Sequence, residues 1–322
     1  MEPLLFEPLI RQSRWGGRKL GSVLHKPIGS AADYAESWEI ADQPGGQSTV
    51  AGGTFAGTTL AELLARHPAE LLGRHRHMNQ FPLLIKFLDA SDWLSLQVHP
   101  NDTQAKTYDI HENGKTEAWV ILHADPDSRI CAGLKAGVTR ETFESHLANG
   151  TIEDCLHLIP AKAGDCIFVP ANTVHALGPG ILLAEVQQQS NLTFRLYDWG
   201  RMGSDGKPRE THIAQSLACI NFDQGPVDPV VPVPLSYDGH TFEELVRCDY
   251  FVIRRHDCVD AFALKLDDRF RILMLLDGEA TLRTHAGNVS LKTGNTALLP
   301  ASITAATVDP SGRITLLEIL HP

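Results

Sequence analysis

The sequence predicts a mainly β protein with two jelly-roll β-barrels and a few helices inserted in or near the N-terminal barrel. An internal repeat is the first observation. Residues 164–175 and 294–305 both run from a glycine through an apolar strand to Pro-Ala and a small polar residue. The second observation is that each copy follows a strand rich in Val, Ile and Leu, at 119–122 and 272–276. The third is the alternation of polar and apolar residues in short stretches, which is the period of a strand.

Residues 1–90 combine short strands with one helix. The segments 36–40 and 81–88 predict strands, and 59–72 repeats leucine at helical spacing, which predicts a helix. Trp15 stands beside a glycine pair with basic neighbours, and it is either a core aromatic or a residue that lines the site. The strand at 81–88 delivers the chain to the polar motif that follows.

The stretch 94–102 organises the chain. It begins as an alternating strand, so the side chains of Ser95, Gln97 and His99 point to one face. Three polar groups in a row make a poor apolar core but a good ligand set. We therefore interpret this face as the floor of a metal and substrate site.

The elements after this motif are again mostly strands. The apolar segments 118–122, 165–170 and 180–187 predict strands, and the spacing of apolar residues over 140–157 predicts a helix.

Residues 225–234 are rich in proline, which is typical of a linker. We therefore predict an N-terminal catalytic domain with helical insertions at 1–224 and a linker at 225–235. Residues 236–322 then form a degenerate C-terminal barrel without metal.

The two copies of the repeat differ at the positions that can bind a metal. His175 in the first copy aligns with Ala305, and Glu117 aligns with Arg271. The second barrel has therefore lost these ligands, and we expect a metal ion in the first barrel alone.

Composition narrows the class of partner. The 322 residues carry a net charge of −11, which argues against nucleic acid or an anionic membrane as the main partner. A phosphate ligand would need a local cluster of Arg and Lys. No run approaches the roughly 18 apolar residues of a membrane span, and residues 1–8 lack the pattern of a secretory leader. The 6 cysteines have no CxxC spacing, so we expect free thiols and a cytoplasmic protein.

Four residues form a plausible metal-ligand set: Gln97, His99, Glu117 and His175. Two imidazoles, a carboxylate and an amide oxygen suit Zn²⁺ or another divalent ion such as Mn²⁺, Fe²⁺ or Co²⁺. The alternative is that the two histidines are unrelated polar residues at strand ends. The repeat favours the metal site, because it places these segments in one barrel.

Two basic residues accompany this set. Arg195 is either a partner in a surface salt bridge or a guanidinium that pairs with a phosphate or a developing enediolate. Lys115 lies two residues before Glu117 and alternates onto the same face, where it can act similarly.

At this point the sequence resembles a known family. Residues 164–175 resemble the second cupin motif, and Gln97 and His99 with Glu117 resemble a degenerate first one. The segments FPLLIKFLDA (81–90), QVHPND (97–102), GKTE (114–117) and FRLYDWGR (194–201) resemble type I mannose-6-phosphate isomerases. The short bacterial form of that family is the most similar. The resemblance is strong over about 7–222 and continues weakly through the second barrel.

The resemblance implies two cupin-type barrels and the interconversion of mannose 6-phosphate and fructose 6-phosphate. It implies one Zn²⁺ per chain in the N-terminal barrel, held by Gln97, His99, Glu117 and His175. It also implies an active-site arginine at Arg195. The substrate-binding residues would be Ser95, Lys115, Trp15 and Arg195.

Such an isomerisation moves a proton between C1 and C2 through a cis-enediol, so it needs a base and an electrophile. Glu185, Lys115, a histidine and metal-bound water all remain candidates for the base, and we favour Glu185 or Lys115. We expect a sugar phosphate as the ligand and a monomer or weak homodimer.

Two alternatives belong to other classes. An Fe²⁺-dependent cupin oxygenase would favour three histidines with the glutamate, whereas Gln97 takes the first position. A non-catalytic sugar-binding cupin would show eroded ligands in the first barrel, whereas all four positions are intact.

Overall fold

The computed structural model describes residues 1–202 and 206–322, and strands predominate in it, which confirms the predicted mainly β class. The first twelve strands are β1 Leu4–Leu5, β2 Leu9–Gly17, β3 Tyr34–Ile40, β4 Asp42–Gln43, β5 Gly46–Gln47, β6 Leu83–Ala90, β7 Leu96–Val98, β8 Glu117–Ala124, β9 Arg129–Leu134, β10 Leu156–Pro160, β11 Cys166–Val169 and β12 His175–Leu177. The others are β13 Ile181–Gln188, β14 Phe194–Tyr197, β15 Val233–Tyr237, β16 His240–Arg247, β17 Val252–Cys258, β18 Phe262–Ala263, β19 Arg271–Asp277, β20 Glu279–Thr284, β21 Gly287–Lys292, β22 Thr296–Leu299, β23 Ala306–Pro310 and β24 Ile314–Leu320.

The helices are short. They are α1 Lys19–Ser22, α2 Leu60–Arg66, α3 Pro68–Leu72, α4 Asp102–Tyr108, α5 Arg140–Ala148 and α6 Ile213–Cys219. Single 3₁₀ turns cover Gly53–Phe55, Gly73–His75 and Ile152–Cys155. Among the described residues, no helix is long and apolar enough to cross a membrane.

The described chain divides into two compact units. The site unit contains Gln12–Gly17 and Leu88–Val230, and the C-terminal unit contains Met1–Arg11, Arg18–Phe87 and Val231–Pro322.

This division differs from the predicted limits of 1–224, 225–235 and 236–322, which stay a prediction. Residues near the N-terminus join the C-terminal unit because β1 pairs with β22, with Leu4 opposite Leu298. Helix α3 contributes as well, since the backbone N–H of Ala301 donates to the carbonyl of Leu71 at 3.0 Å. Helices α1–α3 therefore belong to the C-terminal unit and α4–α6 to the site unit.

The predicted linker has ordered contacts at both ends. In the site unit, the backbone N–H of Val227 donates to Ala132 at 3.1 Å, and that of Val230 donates to Cys166 at 2.8 Å. In the C-terminal unit, β15 begins at Val233, inside the predicted linker, and pairs with β16. Proline is compatible with this strand because β15 lies at the edge of its sheet.

The site unit contains a five-stranded sheet in the order β10-β9-β12-β7-β14, and a second set in which β8 lies between β11 and β13. Alternation along the five-stranded sheet separates its faces. Leu96, Val98 and Ala176 on one face join a buried apolar cluster with Phe143 of α5 and Cys219 of α6. The opposite face carries the polar side chains of Gln97, His175 and Arg195.

The C-terminal unit has a seven-stranded sheet, in the order β1-β22-β19-β24-β17-β16-β15, and a four-stranded sheet, in the order β18-β23-β20-β21. Its core is one buried cluster with members from both sheets, among them Leu273 and Leu316 from the first and Leu282 and Val308 from the second. Two sheets that enclose one apolar core agree with the predicted jelly-roll architecture.

Strand register supports the internal repeat. Glu117 at the start of β8 lies opposite Val169, and Arg271 at the start of β19 lies opposite Leu299. Val169 and Leu299 each directly precede the Pro-Ala pair of their copy. The alignment of Glu117 with Arg271 made from sequence is therefore also an equivalence in the two sheets.

Two predicted helices are shorter than expected. The helix predicted over 59–72 is two helices, because Pro68 lacks a backbone N–H and begins α3 as a new helix. The helix predicted over 140–157 is wrong beyond Ala148. Gly150 adopts a φ of +70° just after α5, and the chain then forms a 3₁₀ turn and β10.

Candidate metal centre

The predicted ligands come from both sets of strands in the site unit. Gln97 lies in the middle of β7, opposite His175 of β12 on one side and Arg195 of β14 on the other. His99 follows β7 by one residue, and Glu117 is the first residue of β8. The β7 and β12 segments therefore supply the amide and both imidazoles, and the strand β8 supplies the carboxylate.

The segment between β7 and β8 is held by local contacts. Asn101 caps α4 with a capping box, accepting from the N–H of Gln104 at 3.0 Å. The carboxylate of Asp102 then accepts from the N–H of Gly114 at 2.8 Å. A Cβ on Gly114 would lie 2.5 Å from the backbone nitrogen of Asp102, so this close approach requires glycine. These contacts set the start of β8 beside the end of β7.

Three of the predicted ligands converge. Nε2 of His99 lies 3.6 Å from Oε2 of Glu117, and Nε2 of His175 lies 3.4 Å from Oε1 of the same carboxylate. The donor atoms of all three residues lie within 4.8 Å of one another. The side chains are 1%, 0% and 1% exposed, so this group is closed to bulk water. The arrangement can hold a metal ion.

Backbone carbonyls orient both imidazoles. Nδ1 of His99 lies 3.0 Å from the carbonyl of Leu192, and Nδ1 of His175 lies 2.8 Å from the carbonyl of Thr173. A carbonyl only accepts, so Nδ1 carries the proton in both rings and donates it. The lone pair then resides on Nε2, which faces Glu117. Such a contact to the other ring nitrogen is typical of histidines that bind metals, and the donor set fits a divalent ion.

Gln97 adjoins the group through its amide, whose nitrogen lies 3.2 Å from Nε2 of His175. Turning the amide by half a rotation places its oxygen at this position, as a ligand role requires. Burial lowers the pKa of His175 to about 4, because desolvation penalises the imidazolium. The ring is therefore neutral at pH 7, which is the form that binds a metal.

Lys115 and Glu185 border the donor set. Nζ of Lys115 lies 2.5 Å from Oε2 of Glu117, 3.1 Å from Nε2 of His99 and 3.9 Å from Oε1 of Glu185. The indole N–H of Trp119 donates to Glu185 at 3.1 Å. Lys115 and Glu185 are 6% and 3% exposed. The structure thus brings both favoured base candidates to the predicted ligands.

The other predicted site residues have different surroundings. Ser95 is buried directly before β7. Trp15 is buried on β2, where its carbonyl accepts from the N–H of Ser91 at 2.7 Å. Arg195 is half-buried on β14, opposite Gln97, and donates through Nη1 to the carbonyl of Glu210 at 2.7 Å. Desolvation, reinforced by the charge of Arg209, lowers the pKa of Arg195 from its usual value.

Sequence reasoning missed the groups that hold this site together. Asn172 has a φ of +74° and bridges the two histidine segments, because its N–H donates to the carbonyl of His99 at 2.8 Å. Gln188 holds the Lys115 segment, accepting from the N–H of Thr116 at 2.9 Å. Asparagine tolerates a left-handed conformation, so Asn172 after Pro-Ala was the one available signal.

In the C-terminal unit, an ion pair stands at the position equivalent to Glu117. Nε of Arg271 lies 3.0 Å from Oε1 of Glu318, with side chains 1% and 3% exposed. Glu318 also accepts from Nη1 of Arg254 at 3.2 Å. The carboxylate is thus paired with cations of the protein itself.

Comparison with known proteins gives concordant results. A family model described as phosphomannose isomerase type I, catalytic domain, matches residues 4–115. A second model, mannose-6-phosphate isomerase, cupin domain, matches residues 241–318.

Relatives match over nearly the whole chain. Mannose-6-phosphate isomerase ManA of Bacillus subtilis is 34% identical over 304 residues, which are 93% of each chain. The mannose-6-phosphate isomerase of Streptococcus mutans is 34% identical over 302 residues, covering 94% of this chain and 93% of the relative. The crystal structure of the mannose 6-phosphate isomerase from Bacillus subtilis aligns with a TM-score of 0.91 and 32% identity, over 99% of both chains. The chain therefore belongs to the type I mannose-6-phosphate isomerase family, as its motifs predicted.

Proposed function

We propose that this protein is a zinc-dependent aldose–ketose isomerase that interconverts mannose 6-phosphate and fructose 6-phosphate through a cis-enediol. The observation that carries the proposal is the buried group of His99, Glu117 and His175 with Lys115 against it, in a chain of this family. A pocket of neutral imidazoles and a carboxylate next to an ammonium suits chemistry on sugar oxygens.

The ligands of the Zn²⁺ would be Gln97, His99, Glu117 and His175, with one ion per chain in the site unit. A bound divalent ion supplies electrostatic stabilisation of the charge that develops on the sugar oxygens. The carbonyls of Leu192 and Thr173 support this role, since they keep the Nε2 lone pairs of both histidines available.

We assign the transfer of the proton between C1 and C2 to Glu185 and Lys115. Glu185 is an acceptor held by the indole N–H of Trp119, and Lys115 offers N–H donors 3.9 Å away. An acceptor and a donor at this spacing suit removal of a proton from carbon and protonation of oxygen. Replacing Glu185 by Gln is expected to reduce kcat by about 100-fold or more while zinc stays bound.

Arg195, Ser95 and Trp15 complete the proposed site. Arg195 lies opposite Gln97, so its guanidinium can stabilise an enediolate on the polar face of the five-stranded sheet. Ser95 precedes the same strand and can bind a sugar hydroxyl, and Trp15 would line the pocket.

We also propose a cytoplasmic enzyme that acts as a monomer or weak homodimer on a small sugar phosphate. Six free cysteines support this location, and the net charge of −11 argues against nucleic acid or an anionic membrane as the partner.

A coupled assay with mannose 6-phosphate beside glucose 6-phosphate and unphosphorylated mannose tests the function. We expect turnover of mannose 6-phosphate, its loss in EDTA and its recovery with zinc. Full activity in a verified metal-free sample would contradict the metal role. Bound iron with consumption of O₂ would instead favour the oxygenase, and binding without turnover would favour a non-catalytic cupin.

A further inference from the structure

The site unit contains three arginines close to the proposed active site: Arg195, Arg201 and Arg209. Arg201 and Arg209 both contact Asp198, which is 5% exposed and accepts from Nη2 of Arg201 at 2.5 Å. Such a concentration of guanidinium groups is notable in a chain whose net charge is −11. The three residues differ in how fully their donors are used.

Arg201 has most of its donors engaged. Beyond Asp198 it donates to the carboxylate of Asp92 at 3.2 Å and to the carbonyl of Trp93, and its Nε donates to the carbonyl of Asp198 at 3.1 Å. Its side chain is 10% exposed. Arg201 therefore fixes the β14–Asp198 segment and has few donors for a ligand.

Arg209 is the opposite case. Within residues 1–202 and 206–322, its guanidinium reaches protein groups by two long contacts, both from Nη1 to Asp198, at 3.4 and 3.5 Å. Its side chain is 28% exposed. The planar fork of an arginine offers five donors, so most of those of Arg209 remain for a ligand that approaches from solvent.

Arg195 adds a second unused donor, its buried Nε. Its Nη1 donates to the carbonyl of Glu210, but its Nε is buried and has no hydrogen-bond partner in the described part of the chain. A buried N–H without an acceptor destabilises the protein until a ligand supplies one. The backbone N–H of His212 donates to the carbonyl of Arg195 on β14 at 2.7 Å. This bond keeps the Arg209–Glu210 segment next to the guanidinium of Arg195.

We propose that Arg209 anchors the phosphate group of the substrate, with Arg195 between this anion site and the metal centre. A phosphate monoester carries about −1.5 to −2 charge at pH 7 and accepts bidentate bonds from guanidinium groups. Arg195 lies opposite Gln97, so it connects the anion site with the proposed sugar site. The identity of the sugar rests on the proposed function, whereas the anion site does not.

The test compares Arg209→Gln and Arg209→Lys with the control Arg129→Gln, which changes an exposed arginine at the start of β9. Arg209→Gln is expected to raise the KM for mannose 6-phosphate by roughly 10- to 100-fold, to change kcat by less than about 3-fold and to leave the melting temperature within about 1 °C of the control. Arg209→Lys is expected to lose less. A purely structural role would lower kcat and reduce the melting temperature, and it would overturn the proposal.

Binding of inorganic phosphate, measured by ³¹P NMR titration of the zinc-loaded protein, makes the result independent of turnover. We expect a dissociation constant at least about 10-fold weaker in Arg209→Gln than in the control, and displacement of phosphate by mannose 6-phosphate. Unchanged phosphate affinity together with an unchanged KM would overturn the proposal. Arg209-dependent phosphate binding without any isomerisation would support the anion site and contradict the proposed function.

Discussion

Replacing Arg271, the buried partner of Glu318, should strongly destabilise the C-terminal unit, and replacing Glu318 as well should restore part of that stability. In Arg271→Met, the carboxylate of Glu318 loses its 3.0 Å bond to Nε but keeps Arg254 at 3.2 Å. Removing one partner of a buried ion pair costs about 3–5 kcal/mol, because the other charge stays buried. Since Arg254 compensates in part, we expect a decrease of about 3 kcal/mol in the free energy of unfolding.

The double variant Arg271→Met/Glu318→Met separates an unpaired charge from lost packing. Arg271 also donates to Asp267 and Glu318 also accepts from Arg254, so the double variant removes the unpaired carboxylate but not every lost contact. Because apolar replacement of a buried pair is often neutral, we expect the double variant to recover part of the loss. Urea unfolding followed by circular dichroism measures both, with Arg283→Met as control, because Arg283 is 54% exposed and paired with Asp309. A loss below about 1 kcal/mol in Arg271→Met, or a double variant as unstable as the single one, would refute the reasoning.

The same pair predicts the acid response. Desolvation acts to raise the pKa of Glu318, but the hydrogen bond with His256 and the charges of Arg271 and Arg254 outweigh it, so the pKa is lowered. A lowered carboxyl pKa contributes stability above the unfolded value of about 4.3, and this contribution is lost as the pH falls below it. We expect Arg271→Met to lose the contribution at a higher pH than the parent protein in acid titrations of unfolding.

Three further predictions concern other positions. Gly114→Ala should destabilise the protein by about 1–3 kcal/mol and weaken zinc binding, because the new Cβ would meet the backbone of Asp102. The control Gly52→Ala, which has open space around its Cβ, should change neither property, as calorimetry and metal titration can show. Desolvation, and then nearby cationic groups, lower the pKa of His75 to about 4, so the folded protein favours the neutral imidazole. The free energy of unfolding should therefore fall as the pH drops from about 6.5 to about 4, and urea unfolding of His75→Gln should show a flatter slope. Arg195→Ala should lower kcat by orders of magnitude while mass spectrometry still finds one zinc per chain, and an unchanged kcat would make Arg195 structural.

The sequence predicted those features that depend on strand period and on the repeat. Alternation placed Gln97 on a polar face, and the register puts it beside His175 and Arg195. The repeat paired Glu117 with Arg271, and both occupy equivalent ladder positions. Such features are predictable because a side-chain period of two leaves few choices of face once one strand is assigned.

Other features depend on backbone groups that no side-chain pattern reveals. The carbonyls of Leu192 and Thr173, which fix the histidine tautomers, look like any others in the sequence. Membership of residues 1–11 in the C-terminal unit depends on β1, a strand of 2 residues that is too short for periodicity to detect. The spare donors of Arg209 follow only from the structure, in which Asp198 pairs closely with Arg201 and only at a longer distance with Arg209.

The equivalence of the two barrels explains in electrostatic terms why one suits a divalent ion. Glu185 lies opposite Trp119, two residues into β8, and Glu318 lies opposite Leu273, two residues into β19, so these carboxylates also correspond. In the site unit, the carboxylates of Glu117 and Glu185 lie 2.5 and 3.9 Å from the ammonium of Lys115, so carboxylates occupy both of the corresponding positions. In the C-terminal unit, Arg271 replaces the first carboxylate and neutralises the second. The C-terminal unit thus supplies a cation from its own sequence at the position where the site unit keeps a carboxylate, and among the residues that the structure describes only the site unit retains a donor set that could hold a divalent ion.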